Sequence, residues 1–291
     1  MRLATPNSRK FEPPPGGPGY GQFGRIRRRT AGFWRVAWCS SAVGWAVLFG
    51  GVVETPVSAA EGADFAAAAK KNFWETQAQY KKLPENSQAA WQFARACFDV
   101  ADYSTNSAER AKIAEQGIAA CRRLIARESN SAPAHYYLGM NLGQLAQTKG
   151  LAALKIVNEM EREFSLARAL DEHFDLAGPD RNLGLLYRDA PSFGSIGSRT
   201  KARRHLLRAA ELAPDYPENR LNLIESYMKW GDSNGVQREL KALDELWPRA
   251  RMALAGATWA PSWADWEQRL KKIKKKVGEA SRTIEAPRQK Q

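Results

Sequence analysis

A glycine-rich stretch in front of a basic helix is the first place in this sequence where chemistry could reside. In APSFGSIGSRTKARRHLL (190–207), two glycines precede Lys201, as in phosphate-binding loops. Such a loop needs G-x-x-x-x-G-K-[ST] between a strand and a helix, but no Gly-Lys dipeptide occurs here and helical periodicity precedes the loop. A turn between helices is therefore favoured, with Ser198 or Thr200 as the N-cap. The alternative is an anion or ligand contact at this helix N-terminus through Ser198, Arg199 and Lys201.

The three histidines have no catalytic or metal-binding spacing. The position of His135 predicts a core or groove location, His173 lacks a second histidine four residues away, and His205 lies on a helix face predicted to be solvated. The sequence contains no C-x-x-C pair, calcium-loop spacing or G-x-S-x-G nucleophile motif. It therefore predicts neither an enzyme, a metal site nor a cofactor.

Residues 1–60 have the layout of a disordered N-terminus followed by a targeting segment. FEPPPGGPGYGQFG is too poor in apolar residues to build a core, and a basic run then precedes an apolar stretch at 36–53 that ends on small residues. This order predicts a secretory signal cleaved near Ala60, or an uncleaved anchor, since the stretch is just long enough to span a bilayer. Both interpretations place the body in the periplasm or cell envelope, with or without a membrane anchor.

The predicted export affects how the cysteines and the net charge are interpreted. In an oxidising compartment Cys97 and Cys121 form one disulfide or, as we favour, are separately buried as small apolar residues. The net charge of +13 is concentrated in the N-terminal basic run, in the helix after the glycine-rich loop and in KKIKKK (271–276). Solvated helix faces are the favoured interpretation of the last two stretches, and contact with an anionic membrane surface or the cell wall is the alternative for 271–276. Export argues against nucleic acid as a partner.

From Asp64 onward the sequence has helical periodicity, and its apolar pattern repeats. Small or apolar residues recur with spacings of four and three, followed by a helix stop five residues later. These sets are Gly117, Cys121, Leu124 and Ser129; Ala202, Leu206, Ala209 and Pro214; and Val236, Leu240, Leu243 and Pro248. A partner pattern occurs four times, and its last members are Phe98, Leu142, Tyr187 and Tyr227. The patterns that end at Phe98, Tyr187 and Tyr227 precede the three sets. Helix pairs in register are therefore predicted.

AHYYLGMNL (134–142) and the stretch 201–227 resemble the helix consensus of tetratricopeptide repeat (TPR) proteins, and the resemblance covers residues 85–250. It implies an all-α, right-handed superhelical solenoid of about four helix pairs. Residues 61–84 and 251–282 are predicted to be capping helices, and 283–291 a loose tail. The TPR unit is about 34 residues, so STNSAER, TKGLAALKI and SFGSIGS are predicted to be inter-helix insertions. These long loops, with AP-x-FG-x-x-GS, are similar to the T component of TRAP-type periplasmic transporters.

The TPR resemblance implies a scaffold that binds a partner protein or peptide in the cell envelope through its concave face. Positions between the packing residues are the candidate contacts: Tyr136, Asn141, Asn182, Arg220 and Asn222. The alternative function is a ligand-binding accessory of a TRAP-type transport system, with a small-molecule ligand. Trp263 and Trp266, near the C-terminus, are predicted to be core residues, with an aromatic-lined groove as the alternative.

Overall fold

The computed structural model describes residues 59–150 and 153–285, with side chains described between residues 64 and 279. These ranges form ten α-helices and no strand, which confirms the predicted all-α fold. The helices are α1 (Ala59–Lys82), α2 (Ser87–Asp102), α3 (Ser107–Arg127), α4 (Ala132–Ala146), α5 (Ala153–Leu170), α6 (Phe174–Asp189), α7 (Arg199–Leu212), α8 (Pro217–Lys229), α9 (Ser233–Ala253) and α10 (Ala260–Glu285).

The helices pack as sequential pairs. We call α2, α4, α6 and α8 the first helices and α3, α5, α7 and α9 the second helices, because each first helix packs on the second helix that follows it. Each first helix also contacts the next first helix, and α10 contacts α8 as the next member of that row. Every pair therefore covers the apolar stripe of its neighbour, and apolar burial extends along the stack.

Polar caps mark where several helices begin. The Asn86 side chain accepts from the Ala89 amide before α2, and the Asn106 side chain accepts from the first amides of α3. Ser198 caps α7 and Asp232 caps α9 in the same way. Each cap satisfies an amide that has no partner within its helix, so these residues define the helix starts.

The apolar positions that define the repeat pattern are buried in the structure. Cys121, Leu124, Leu206 and Leu243 are among the core residues. At Gly184 the packing is so close that a Cβ would lie 2.6 Å from Leu206 Cγ and 3.0 Å from the Leu206 backbone nitrogen. The repeated small residues therefore set how closely first and second helices approach.

The predicted helix stop at Pro248 is wrong. Helix α9 continues through Pro248 to Ala253, and Leu246 and Ala250 on either side of the proline are buried. Proline removes one backbone hydrogen bond from a helix interior. Apolar burial on both sides of Pro248 compensates for that loss, so the helix does not end there.

The predicted insertions are only partly loops. The end of STNSAER belongs to α3, which begins at Ser107, and the ALKI of TKGLAALKI belongs to α5, which begins at Ala153. Only the α6–α7 connection, residues 190–198, is a long loop throughout. The extra residues of the first two units therefore lengthen their second helices.

The C-terminal tryptophans form a packed cluster. The ring centroids of Trp263 and Trp266 are 4.9 Å apart, and those of Trp247 and Trp263 are 5.2 Å apart. Trp266 is fully buried, which confirms the predicted core position for it and for Trp263. The cluster joins α9 to α10 and thereby closes the last pair.

The predicted signal or anchor at 36–53 lies outside the described residues. No helix in the described ranges is both long enough and apolar enough to cross a bilayer.

Candidate functional site

Polar side chains join each first helix to the next. Gln144 of α4 donates to Asp102 of α2 (Nε2–Oδ1, 3.3 Å), and Tyr136 of α4 donates to Asp175 of α6 (Oη–Oδ2, 2.5 Å). The pattern continues from α6 to α8 and from α8 to α10. We name this set the polar ladder; its members are Asp102, Tyr136, Gln144, Asp175, Arg181, Asn182, Asn219, Asn222, Glu225 and Arg269.

Two buried arginines form the C-terminal half of the polar ladder. Arg181 of α6 donates to Asn219 of α8 (Nη1–Oδ1, 3.2 Å). Arg269 of α10 donates to Asn222 (Nη2–Oδ1, 2.7 Å) and to Glu225 (Nε–Oε1, 2.8 Å) of α8. Burial alone would lower the pKa of Arg269, but the carboxylates of Glu225 and Asp265 outweigh it and raise that pKa above its usual value. Both arginines are thus fixed cations inside the row of first helices.

A left-handed turn lies at the start of α6, in the middle of the polar ladder. Asp175, Leu176 and Ala177 have φ of 58°, 55° and 61°, a region that residues other than glycine rarely adopt. Arg181 holds the turn by donating to the Leu176 carbonyl (2.9 Å) and to the Asp175 carbonyl (3.1 Å). Strain of this kind persists only where its surroundings fix it, and it is common at functional positions.

The face of the first helices has an acidic excess, although the whole chain carries +13. Five basic side chains lie on it: Arg95, Arg181, Arg188, Lys229 and Arg269. Seven acidic side chains lie on or beside the polar ladder: Asp99, Asp102, Asp175, Asp189, Glu218, Glu225 and Asp265. The sign of the charge on this face is therefore opposite to that of the protein as a whole.

The structure brings three of the five predicted contact residues together in the polar ladder. Asn182 donates to the Tyr136 hydroxyl (Nδ2–Oη, 2.9 Å), and Asn222 accepts from Arg269. All three are buried. Their partner-binding role stays a prediction, and their observed bonds link one helix pair to the next.

The other two predicted contact residues are not members of the polar ladder, although Asn141 also joins two first helices, through a backbone carbonyl. Asn141 is buried and donates to the carbonyl of Ala94 in α2 and to that of Tyr137. Arg220 is half-buried and pairs with Glu239 of α9 (Nη1–Oε2, 2.6 Å). Asn141 therefore contributes to helix packing, and Arg220 joins a first helix to its own second helix.

The residues of the predicted anion loop begin α7. Ser198 Oγ accepts from the Lys201 amide (3.3 Å), so it is the N-cap. Arg199 lies over the Trp230 ring, 5.3 Å from its centroid, and Lys201 lies over the Tyr187 ring at 4.8 Å. The Glu161 carboxylate is 3.6 Å from Lys201 Nζ. The loop is a structural turn, and anion binding there stays a prediction.

Two histidines pair with buried carboxylates. His135 contacts Glu163 (Nδ1–Oε2, 2.6 Å), and His205 contacts Asp180 (Nδ1–Oδ1, 2.7 Å). The predicted solvated position of His205 is wrong: the ring packs on Tyr187, with centroids 5.5 Å apart, and is buried. His173 is exposed.

Both described cysteines are free and buried, as the favoured interpretation predicts. Burial raises the pKa of each thiol above its usual value. Among the described residues, no group of three or more His, Cys, Asp or Glu side chains is placed to hold a metal ion.

Sequence reasoning missed Asp175, Arg181 and Arg269. A charged residue in an amphipathic helix is expected to face water, and the partners of these arginines lie 38 and 47 residues away along the chain. No local spacing signals such a contact. The only available hint was the recurrence of polar residues at matching positions of successive first helices.

Comparison with known proteins finds similarity to a family model and to solved structures. The family model for regulator of microtubule dynamics protein 1-3 matches residues 61–173. The crystal structure of a thermophilic TPR protein from Thermus thermophilus is similar over 68% of this chain and 94% of that chain, with 19% sequence identity and a TM-score of 0.49. No curated protein matches this chain.

The assignment of the fold rests on the helix pairs themselves. Four pairs follow one another in the described residues, and the second helices α3, α7 and α9 bury small and apolar positions at the spacing read from the sequence. The row of first helices forms one face and the second helices pack behind it. The chain is a TPR-like helical repeat protein.

Proposed function

We propose that this protein is a scaffold whose row of first helices binds an extended segment of a partner protein. In TPR-like stacks the first helices line the concave surface, which is the usual binding surface of solenoid proteins. The polar ladder supports the proposal because it runs through all five helices of this row. A ligand that follows the row would meet the partly exposed carboxylates of the ladder, such as Asp102 and Glu225, while its buried members hold the helices in place.

The acidic excess of this face favours a basic segment of the partner. Charge complementarity contributes mainly to association rate and to choice of partner. A segment rich in Lys and Arg would gain from seven carboxylates set against five basic side chains. An acidic segment would be repelled by the same set.

The test uses two labelled peptides of equal length, one rich in Lys and Arg and one rich in Asp and Glu, with fluorescence polarisation as the readout. We expect the basic peptide to bind and the acidic one not to bind. The double variant Asp99→Asn, Asp102→Asn should weaken basic-peptide binding about threefold to tenfold, because each substitution removes one weak charge contact with the peptide.

The matched control neutralises two exposed acids of second helices, Glu211→Gln and Glu245→Gln. It removes the same charge and should leave affinity unchanged. Equal weakening in both double variants would show that only net charge matters and would contradict a site on the first helices. Equal binding of the two peptides would contradict the basic preference.

The proposed location is the periplasm or cell envelope, and it rests on the layout of residues 1–60. Fractionation of the native cell followed by mass spectrometry of the N-terminal peptide tests it. A mature N-terminus near Ala60 in the exported fraction supports cleavage, and an intact N-terminus in the membrane fraction supports an anchor. An intact chain confined to the cytoplasm contradicts both.

A second candidate is a ligand-binding accessory of a TRAP-type transport system. The observation that favours it is the ordered loop 190–198, which holds the AP-x-FG-x-x-GS sequence. Its backbone is closed by bonds from the Ser198 amide to the Tyr187 carbonyl (2.9 Å) and from the Gly197 amide to the Pro191 carbonyl (3.0 Å). This function requires a small molecule that copurifies in native mass spectrometry. A protein that remains empty after purification from its native envelope would contradict it.

A further inference from the structure

We propose that the edge of the solenoid around Phe193 docks on an anionic lipid bilayer. This edge carries the turns that join a first helix to its second helix, and we call it the within-pair edge. Phe193 lies at the tip of the loop 190–198 and is 96% exposed. The other residues of that loop are small, apolar or hydroxyl-bearing, so no charge lies between Asp189 and Arg199.

The loop presents Phe193 on a rigid support. Two backbone bonds close it, and Ile196 packs against the core. Gly197 has no room for a side chain, since a Cβ would lie 2.1 Å from the Ala190 carbonyl oxygen. An exposed aromatic ring on a fixed loop can enter the interfacial region of a bilayer with little further loss of chain entropy.

In three ion pairs of the within-pair edge, the cationic side chain is more exposed than the anionic one. Side-chain exposure is 53% for Lys229 against 10% for Asp189, and 49% for Lys201 against 27% for Glu161. Arg203 and Asp232 show the same order, at 41% and 28%. An approaching surface therefore meets the positive member of each pair first.

The opposite edge, which carries the turns between pairs, has ion pairs of both polarities. Glu85 is 77% exposed and its partner Arg127 is 30% exposed. Glu211 is 66% exposed and Arg208 is 40% exposed. At that edge Arg168 is 43% exposed against 0% for Asp180, whereas Arg249 and Asp215 are about equally exposed, at 65% and 62%. The three pairs named above for the within-pair edge, by contrast, all have the cation more exposed than the anion.

A positive edge with an apolar tip is a better fit to an anionic bilayer than to the surface of an acidic protein. Lys and Arg are attracted to anionic headgroups, and an apolar side chain between them enters the acyl boundary. Arg199 adds to this surface: it lies at the first turn of α7 beside the loop, with its guanidinium over the Trp230 ring. An acidic protein would also satisfy the cations, and polyglutamate is therefore one of the probes in the test below.

The experiment places an environment-sensitive NBD dye beside Phe193 in the full chain, on Ser192→Cys in a Cys39→Ser background. Cys97 and Cys121 are buried and do not react. Vesicles of phosphatidylcholine alone are compared with vesicles containing about 30% phosphatidylserine. We expect NBD emission to rise about threefold and shift to the blue with the anionic vesicles only, and to fall back at high salt.

Two variants and one control identify the residues responsible for the change in NBD emission. Phe193→Ser should abolish the blue shift, and Arg199→Gln with Lys201→Gln should reduce vesicle affinity about tenfold. Lys271→Gln with Lys272→Gln removes the same charge from exposed positions of α10 and should have no effect. Because the dye reports only its own surroundings, binding through residues 36–53 does not raise its emission.

Three results would overturn the proposal. An equal response from the dye at Met252→Cys, an exposed position on the opposite edge, would show non-specific adsorption. No response with anionic vesicles would exclude docking by this edge. A response to polyglutamate but not to vesicles would assign the edge to an acidic protein instead.

Discussion

His135 has a hydrogen-bond acceptor at each ring nitrogen. Nδ1 is 2.6 Å from Glu163 Oε2, and Nε2 is 2.9 Å from the Ser129 carbonyl oxygen. A neutral imidazole donates only one hydrogen bond, so only the imidazolium satisfies both contacts. The bond to Glu163 raises the pKa of His135 against the opposing effect of burial, and the Ser129 carbonyl adds to the rise.

The pH dependence of unfolding tests this arrangement. Because the folded-state pKa of His135 is raised, its contribution to stability is complete below about pH 6.5, the unfolded value, and is lost as pH rises through the folded value. His135→Gln should cost about 1–3 kcal/mol of unfolding free energy below pH 6.5 and less at alkaline pH.

Urea unfolding of both proteins across this pH range supplies the measurement. His173→Gln, at an exposed histidine, is the matched control and should leave the pH profile unchanged. A constant difference between wild type and His135→Gln at every pH would show that folding leaves the pKa of His135 unchanged.

The α6 turn is an element whose geometry is imposed by its neighbours. Three consecutive residues adopt left-handed dihedrals, and Arg181 and Asn219 hydrogen-bond to the Leu176 carbonyl. A non-glycine residue in this region costs roughly 1–3 kcal/mol. The stacking of α6 between α4 and α8 must offset that cost, since α6 alone would not adopt the turn.

Two matched leucine-to-glycine variants measure the strain. Leu176 and Leu166 are similarly exposed, at 36% and 40%, but Leu166 lies within α5 in ordinary helix. Leu166→Gly should destabilise the protein by about 1 kcal/mol. Leu176→Gly should be neutral or stabilise it by up to about 1 kcal/mol, because glycine tolerates positive φ.

Thermal and urea unfolding of the two variants give the comparison directly. If Leu176→Gly loses as much stability as Leu166→Gly, the left-handed turn carries no strain.

At the scale of the whole molecule, the core consists of two main apolar clusters that meet across α6 and α7. The N-terminal cluster includes Phe93, Met160 and Leu186, and the C-terminal cluster includes Leu206 and Trp266. Trp230 packs against both. In a repeat stack each unit contacts only its neighbours, so damage to one end should spread only partly to the other.

Trp266→Ala tests this division. Removal of a fully buried tryptophan should cost about 3–5 kcal/mol. Hydrogen exchange should show lost amide protection in α8–α10 first, while α2–α4 stay protected. Trp74→Ala, at a tryptophan that is 55% exposed, is the control and should change stability little. Uniform loss of protection along the chain would show a single cooperative unit.

The sequence by itself determined the helix pairs and their register. Small and apolar residues with spacings of four and three, such as Ala202, Leu206 and Ala209, share one helix face and must be covered by a neighbouring helix. The caps at Asn86 and Ser198 define helix starts for equally local reasons. Pro248 misled the prediction because a local helix-breaking preference is weaker than burial on both sides of it.

Only the tertiary structure decided which polar residues meet. Tyr136 and Asp175, like Asn222 and Arg269, come from different repeats, and their contact depends on how the pairs stack. His205 is buried because Asp180 and Tyr187 of α6 lie against it. The left-handed turn at Leu176 has the same origin. Local sequence favours one conformation for each segment, whereas the stacking of the helix pairs determines which residues of different segments are in contact. Stacking can also impose a strained turn where the total burial offsets the strain.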